Sequence, residues 1–329
     1  MKVIAIQGHG GPDVLQLVDR ELPAPGRGEV RVEVRAAGVN RADLLQRQGL
    51  YPPPPGVAAD VPGLEYAGTV AELGPGCTLR QLGDPVMGLV AGGAYAQSLL
   101  VHERETIAVP EALPLAAAAG VPEAFLTAYR ALFLEGGLGA GDWCVIRAAT
   151  SGVGLAAGQL AGAFAAQALG TGRDAQRLAR AAATAGFAAT HVEGSGPLAE
   201  AVRAHSGGPG AAVVLDLLGG GHLQENLQAA AEEGTVVSVG LLAGTQDRID
   251  LGALLMRRQR LIAMTMRSLP LERRIALARL FERRLSPLFA AGRLKPTIDR
   301  HFPLADAAEA HRHMAQNHHL GKLILINGD

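Results

Sequence analysis

Trp143-Cys144-Val145-Ile146-Arg147-Ala148-Ala149-Thr150-Ser151-Gly152-Val153-Gly154 reads as a buried strand, a tight glycine turn and the start of a helix. The apolar run Cys144 to Ile146 suits a central parallel strand, and the apolar residues that follow predict a helix from about Leu155 to Leu169. Gly152 and Gly154 let an anion approach the backbone closely, and the free N–H groups at a helix start favour negative charge. The turn is Ala149-x-x-Gly152-x-Gly154 and lacks the full G-x-G-x-x-G pattern. Taken alone, it fits a pyrophosphate cradle and a turn that merely packs helix on strand.

Its surroundings favour the cradle. Strand candidates follow at Trp143–Ala149, Gln167–Thr171, Ala188–Val192, Ala211–Leu217, Gly234–Gly240 and Arg260–Thr265, with helical segments such as Ala175–Ala185 and Leu198–His205 between them. Right-handed crossovers would assemble them as a doubly wound parallel six-stranded sheet in the order 3-2-1-4-5-6, with ligands at the carboxyl ends of the strands. Ala149, Ser151, Gly152, Val153 and Gly154 fall there after strand one, and Gly240, Leu241 and Leu242 after strand five. These are the candidate dinucleotide-binding residues.

Composition bounds the rest. With 48% hydrophobic and 19% charged residues over 329 positions, the chain can bury large cores and fits about two domains. A formal charge of -1 offers no basic excess for nucleic acid or an anionic membrane surface. Cys77 and Cys144 are too few for a disulfide framework or a structural zinc site, and Cys144 reads as core. The amino terminus enters an alternating strand with no charged-then-apolar leader, and the apolar stretch near Leu115 to Val121 is bounded by Pro114 and Pro122. A cytoplasmic protein is expected.

The amino-terminal part carries short β pieces, Glu29–Val34, Tyr66–Leu73 and Asp84–Leu89, between Gly- and Pro-containing turns, and predicts a barrel-like domain. Pro52 to Pro55 remove four donors, so the segment Gly49 to Gly56 is expected as a stiff exposed loop. A helix is expected to begin at Pro122. Beyond strand six, a charged helix from Leu271 to Ala291, the segment Lys295–Phe302 and a final strand Lys322–Asn327 are expected to return to the first domain. The expected domains are 1–120, completed by about 268–329, and 121–267.

The runs Ala37 to Tyr51, Pro62-Gly63-Leu64-Glu65-Tyr66-Ala67-Gly68, Val70 to Gly76, Ala148 to Gly154 and Gly321 to Leu325, in that order, resemble the zeta-crystallin-like quinone oxidoreductases of the medium-chain dehydrogenase/reductase superfamily. Within them the chain is most similar to the branch of the tumour-suppressor-inducible quinone oxidoreductase. The resemblance implies a GroES-like β-barrel catalytic domain, a Rossmann domain, NADPH as reductant, and commonly a homodimer formed through the edge strands. It also implies Glu65 as a buried ion-pair partner, Thr127 near the cofactor and Lys322 at the inter-domain cleft. Leu254–Met266, on the expected edge strand, is the candidate dimer contact, and core packing explains its apolar residues nearly as well.

Where the superfamily's alcohol dehydrogenases place zinc ligands, this chain has Asn40 and Leu64, so no metal is expected. Of the ten histidines, His311 and His313 lie in what reads as an amphipathic surface helix and are expected to be solvated. Without a Lewis acid, the acceptor should take hydride readily by itself, as a quinone or an activated alkene does. Asn40 and Tyr51 are the candidate catalytic residues, Asn40 by hydrogen bonding and Tyr51 as a hydrogen-bonding group or proton donor. Asn40 fits the cap of a helical turn equally well, and Tyr51 could simply pack on the proline loop.

The end of strand two reads Gly170-Thr171-Gly172-Arg173-Asp174. Aligned by the resemblance, Gly172 stands in place of the NAD-selecting acid and Arg173 and Arg177 where a 2′-phosphate is contacted, which favours NADPH. Asp174 reads more simply as the cap of the next helix. Two other readings stay open. The spacing Asn40-x-x-Asp43 to Gly49-x-Tyr51 is similar to that of 2-enoyl thioester reductases, with Tyr51 as proton donor. A structural or RNA-binding nucleotide-binding protein is the third, against which the neutral charge weighs.

Overall fold

The structure, a computed structural model, describes residues 1–328 and divides into two units, Met1–Leu126 with Met266–Asp329, and Thr127–Thr265. In the first unit β1 (Lys2–Ile6) and β2 (Leu15–Asp19) form a two-stranded ribbon. β3 (Glu29–Val39) alternates inward valines with outward polar residues and leads into α1 (Arg41–Arg47). β4 (Glu65–Leu73), β5 (Pro85–Leu89), β6 (Ser98–His102) and β7 (Ile107–Ala108) follow, then the short α2 (Leu115–Ala118). Proline-bounded α3 (Pro122–Tyr129) runs across the division and continues as a π-helical turn, Arg130–Glu135.

The second unit is a βα succession. Its strands are β8 (Trp143–Ile146), β9 (Gln167–Gly172), β10 (Ala189–Val192), β11 (Ala211–Asp216), β12 (Ala230–Ser238) and β13 (Arg260–Ala263). Its later helices are α4 (Gly152–Ala163), α5 (Ala175–Ala185), α6 (Leu198–Ser206), α7 (Leu223–Ala229) and α8 (Leu251–Met256). All strands are parallel, in the order β10-β9-β8-β11-β12-β13, the 3-2-1-4-5-6 arrangement expected from sequence. The strands are apolar because both faces are covered, and Val145, Leu169, Val214 and Val236 form one core.

The chain then returns to the first unit through α9 (Leu271–Arg284), α10 (Ser286–Ala290), β14 (Ile298–Pro303), α11 (Ala307–Ala315) and β15 (Lys322–Ile326). β15 pairs parallel with β14 and antiparallel with β3, giving the sheet order β14-β15-β3-β4-β5-β7, with β6 also on β3. This is the GroES-like domain, and with the six-stranded Rossmann sheet it gives the α/β architecture read from the sequence.

Three helical expectations are corrected. α4 spans Gly152–Ala163 and stops well before Leu169, because Ala165 turns left-handed (φ 60°) and Gln167 already belongs to β9; the alanine-rich run hid that break. The Leu271 to Ala291 helix is two, broken after Arg284 where Pro287, lacking an N–H, cannot continue the ladder. His311 is fully buried, since the face formed by Ala307, Ala310, His311 and Met314 packs inward, whereas His313 is half-buried against Asp299. No helix among the described residues is long and apolar enough to cross a membrane.

Candidate functional site

The second unit presents its nucleotide half-site at the carboxyl end of β8. Ala148 takes a left-handed conformation (φ 52°), Ala149 N–H bonds the Thr171 carbonyl at 2.9 Å, and Ser151 caps α4 by accepting the Gly154 N–H at 3.0 Å. A Cβ on Gly154 would lie 2.6 Å from the Ala148 carbonyl oxygen, so only glycine lets the helix start this close to the strand. The first amides, of Gly152 and Val153, have no intrahelical acceptor, and both residues are half-exposed. That cradle fits a pyrophosphate.

At the end of β9, Asp174 caps α5 through the Arg177 N–H at 2.8 Å, so its carboxylate is engaged with its own helix. Arg173 is exposed and Arg177 half-buried, with one Nη 3.4 Å from the Thr150 hydroxyl. Leu241 and Leu242 lie exposed beyond β12, and the loop that follows Gly240 is tied back by Ala243 N–H to the Leu218 carbonyl at 2.7 Å. Thr127 is buried in α3 with its hydroxyl unpartnered.

Sequence reasoning missed Arg147. It leaves β8 fully buried and donates to Glu225 at 2.8 Å, with His222 Nδ1 2.9 Å away and Glu193 at 4.0 Å. Glu193 in turn accepts the Thr171 hydroxyl at 3.2 Å. An arginine next to a glycine turn reads as a surface residue, and nothing in the sequence marks its partners.

The first unit holds the other cluster. Lys322, at the start of β15, gives its ammonium to the Val39 carbonyl at 3.0 Å, Asn40 Oδ1 at 2.5 Å and Glu65 Oε1 at 2.6 Å. Asn40 Nδ2 donates to the same Glu65 oxygen at 3.0 Å, while Glu65 Oε2 accepts the Glu123 N–H in the first turn of α3 at 2.8 Å. The cage is buried: Glu65 is 0% and Lys322 5% exposed. Gly38 makes room for it, since a Cβ there would collide with the Glu65 carboxylate and lie 2.6 Å from the Ala119 carbonyl. Asn40 thus opens α1, as one expectation had it, but its side-chain amide is spent on Glu65 and Lys322. All three Lys322 donors are committed within this cage.

Tyr51 is held by an arginine. Arg267, 3% exposed, donates to the Tyr51 carbonyl at 2.7 Å, Gln46 Oε1 at 2.6 Å and the Ala91 carbonyl at 2.7 Å, with its guanidinium carbon 5.1 Å from the Tyr51 ring centre. Gln46 belongs to α1, so one arginine ties Tyr51 to the helix that Asn40 begins. Burial pushes the Tyr51 phenol above its usual range, with Arg267 pulling it back and Glu123 adding to the rise. Arg267 too was missed: its partners are 176 and more residues away in the chain. Among the described residues, no group of three or more His, Cys, Asp or Glu side chains gathers as a metal site.

Comparison with known proteins agrees with this geometry. Residues 26–111 match the model of the alcohol dehydrogenase GroES-like domain and residues 187–325 that of the zinc-binding dehydrogenases. The chain is 29% identical to the synaptic vesicle membrane protein VAT-1 homolog of Rattus norvegicus, over 100% of this chain and 84% of that protein. The Escherichia coli quinone oxidoreductase complexed with NADPH superposes with a TM-score of 0.87 at 29% identity, over 99% of this chain and 100% of that one. The JamJ enoyl reductase superposes with a TM-score of 0.88 at 25% identity, over 99% of each chain.

Proposed function

The chain belongs to the medium-chain dehydrogenase/reductase superfamily, among its zinc-independent quinone oxidoreductase-like and VAT-1-like members, and on that premise we propose that it is an NADPH-dependent quinone reductase. The observation that carries this reading is the Asn40–Glu65–Lys322 cage. It is neutral overall and its ammonium has no hydrogen left to give, so it polarises no carbonyl. An acceptor that takes hydride without a Lewis acid suits such a site, and a quinone or activated alkene is of that class.

Bound NADPH would supply the hydride. The residues suited to hold it are Ala149, Ser151, Gly152, Val153 and Gly154 around the pyrophosphate, Arg173 and Arg177 at the 2′-phosphate, and Thr127, Gly240, Leu241 and Leu242 towards the nicotinamide. Arg173 and Arg177 support NADPH over NADH because Asp174, the competing acid, is engaged as a helix cap. Lys322 enters as the counter-ion that keeps Glu65 and Asn40 in place. Asn40, its amide held by Glu65 and Lys322, is suited to shape the acceptor side of the site, and Tyr51, held protonated by burial, is suited to donate a hydrogen bond or a proton as charge arrives on the acceptor. Asn40 to Tyr51 also supports a place beside the tumour-suppressor-inducible branch, and the exposed Leu255 and Met256 of α8 with Leu261 of β13 support a homodimer edge.

A second reading, reduction of a 2-enoyl thioester, is favoured by Tyr51 and by the likeness to the JamJ enoyl reductase. Steady-state NADPH oxidation separates the two. Turnover of an ortho-quinone, with a 2-enoyl thioester inert, supports the first reading; thioester reduction that Tyr51→Phe abolishes supports the second; failure of both acceptors refutes both.

A further inference from the structure

Beneath α1 runs a buried chain of polar groups that none of these roles uses. Asp43 Oδ2 accepts the Asn40 N–H at 2.8 Å and the Tyr95 phenol at 3.0 Å, and Oδ1 accepts the Gly63 N–H at 3.1 Å. On the far side of the phenol, His311 Nε2 lies 3.2 Å from the Tyr95 oxygen, with the two rings edge-on at 5.8 Å. Asp43, Tyr95 and His311 are all 0% exposed. The single phenol hydrogen goes to Asp43, so the phenol oxygen can only accept from His311. The imidazole therefore carries its proton on Nε2, which leaves Nδ1 as a buried lone pair with no partner.

We propose that Asp43 is the positioning residue of the Asn40–Glu65–Lys322 cage, kept in its ionised, accepting form by the Tyr95–His311 pair. This rests on the reading above, in which Asn40 and its cage shape the acceptor side of the site. The carboxylate ties the backbone of Asn40 to that of Gly63, two residues before Glu65, and so fixes both side chains that Lys322 bridges. A protonated Asp43 holds this less well. A hydrogen on Oδ1 faces the Gly63 N–H, and one on Oδ2 keeps its bonds only if the Tyr95 phenol turns to accept it and donates to His311 Nε2, which moves the imidazole proton to the buried Nδ1, where it has no acceptor.

The groups around Asp43 set when this happens. Burial pushes its carboxyl up to about 6, against the three donors and the nearby Lys322 charge. Arg267 also feels the Asp43 charge, and Glu65 adds to the field that holds Tyr95 protonated. His311 takes no part in the titration: burial, with Arg47 and Arg41 facing it, pushes it down to about 3. Activity should therefore fall on the acid side near pH 6, through kcat, with the KM for NADPH unmoved because the nucleotide half-site lies in the other unit.

The test pairs pH profiles of kcat for an ortho-quinone with a 13C titration of the Asp43 side-chain carboxyl, in the wild type and in Tyr95→Phe. Losing the phenol removes a hydrogen bond to the ionised form, so the carboxyl titration and the acid limb should move together to higher pH, by about one unit. Asp43→Asn should lower kcat at every pH and flatten the acid limb. If the carboxyl titration moves and the acid limb stays, or if the Asp43 carboxyl titrates at its ordinary value, the positioning role is wrong while the reductase reading stands. A wild type that oxidises no NADPH with either acceptor overturns that reading, and the positioning role with it.

Discussion

The Arg267 guanidinium stands 5.1 Å from the centre of the Tyr51 ring while donating to the Tyr51 carbonyl at 2.7 Å, so one cation fixes both the backbone and the ring of the candidate proton donor. Arg267→Ala would leave Gln46 Oε1 and the Ala91 carbonyl without their donor. A loss of roughly 3 kcal/mol in urea unfolding is expected, and Arg267→Lys should recover only part of it because an ammonium cannot reproduce the planar fork.

Tyr51→Phe separates two roles. If the phenol only binds, quinone turnover should change by less than about tenfold; if it delivers the proton to a reduced alkene, thioester reduction should drop by roughly 10²-fold or more. Paired acceptor assays on one variant preparation decide between them.

Breaking the buried Glu65–Lys322 pair one partner at a time should be worse than removing both. Lys322→Met leaves the Glu65 carboxylate uncompensated and is expected to cost about 3–5 kcal/mol, while Lys322→Met with Glu65→Gln should recover much of that. A double-mutant cycle in denaturant gives the coupling.

Arg173→Ala and Arg177→Ala should each weaken NADPH about tenfold, as expected for one charge-assisted phosphate contact, and leave NADH nearly unchanged. Equal losses for both nucleotides would remove the 2′-phosphate from this site. Titration of nucleotide fluorescence measures it without turnover.

Asp43 also leaves a signature in stability against pH. Its folded pKa, about 6, lies above the ordinary 3.8, so its contribution is fully present below about pH 4 and is lost as pH rises through about 6. Relative to Asp43→Asn, the wild type should lose about 3 kcal/mol of stability across that window. Urea melts of the two proteins at pH 4 and pH 7 check both sign and size.

What could be read ahead of the structure follows from how far apart the interacting residues lie. The strand order of the second unit was legible because parallel strands covered on both faces must be short apolar runs, and Asp174 stood as a cap because capping is local. The cage was reachable only through resemblance: Asn40 meets Lys322 across 282 positions. Arg267 had no signal at all, since an isolated arginine looks the same whether it faces water or clamps a loop 216 residues away. His311 misled for the opposite reason. A histidine beside Arg312 and His313 looks solvated, yet it falls on the helical stripe of Ala307, Ala310 and Met314.

The position of β15 between β14 and β3 has a consequence for how the protein is made. All six strands of the parallel sheet lie ahead of it in the chain and can pair as soon as they leave the ribosome, whereas β3, paired early with β4 and β6, must wait for nearly three hundred further residues before the partner of its other edge exists. Until then Val39, Gly38, Ala37 and Ala36 offer an open edge, and the Glu65 carboxylate lacks its counter-ion. The unit that begins the chain is therefore the last to close.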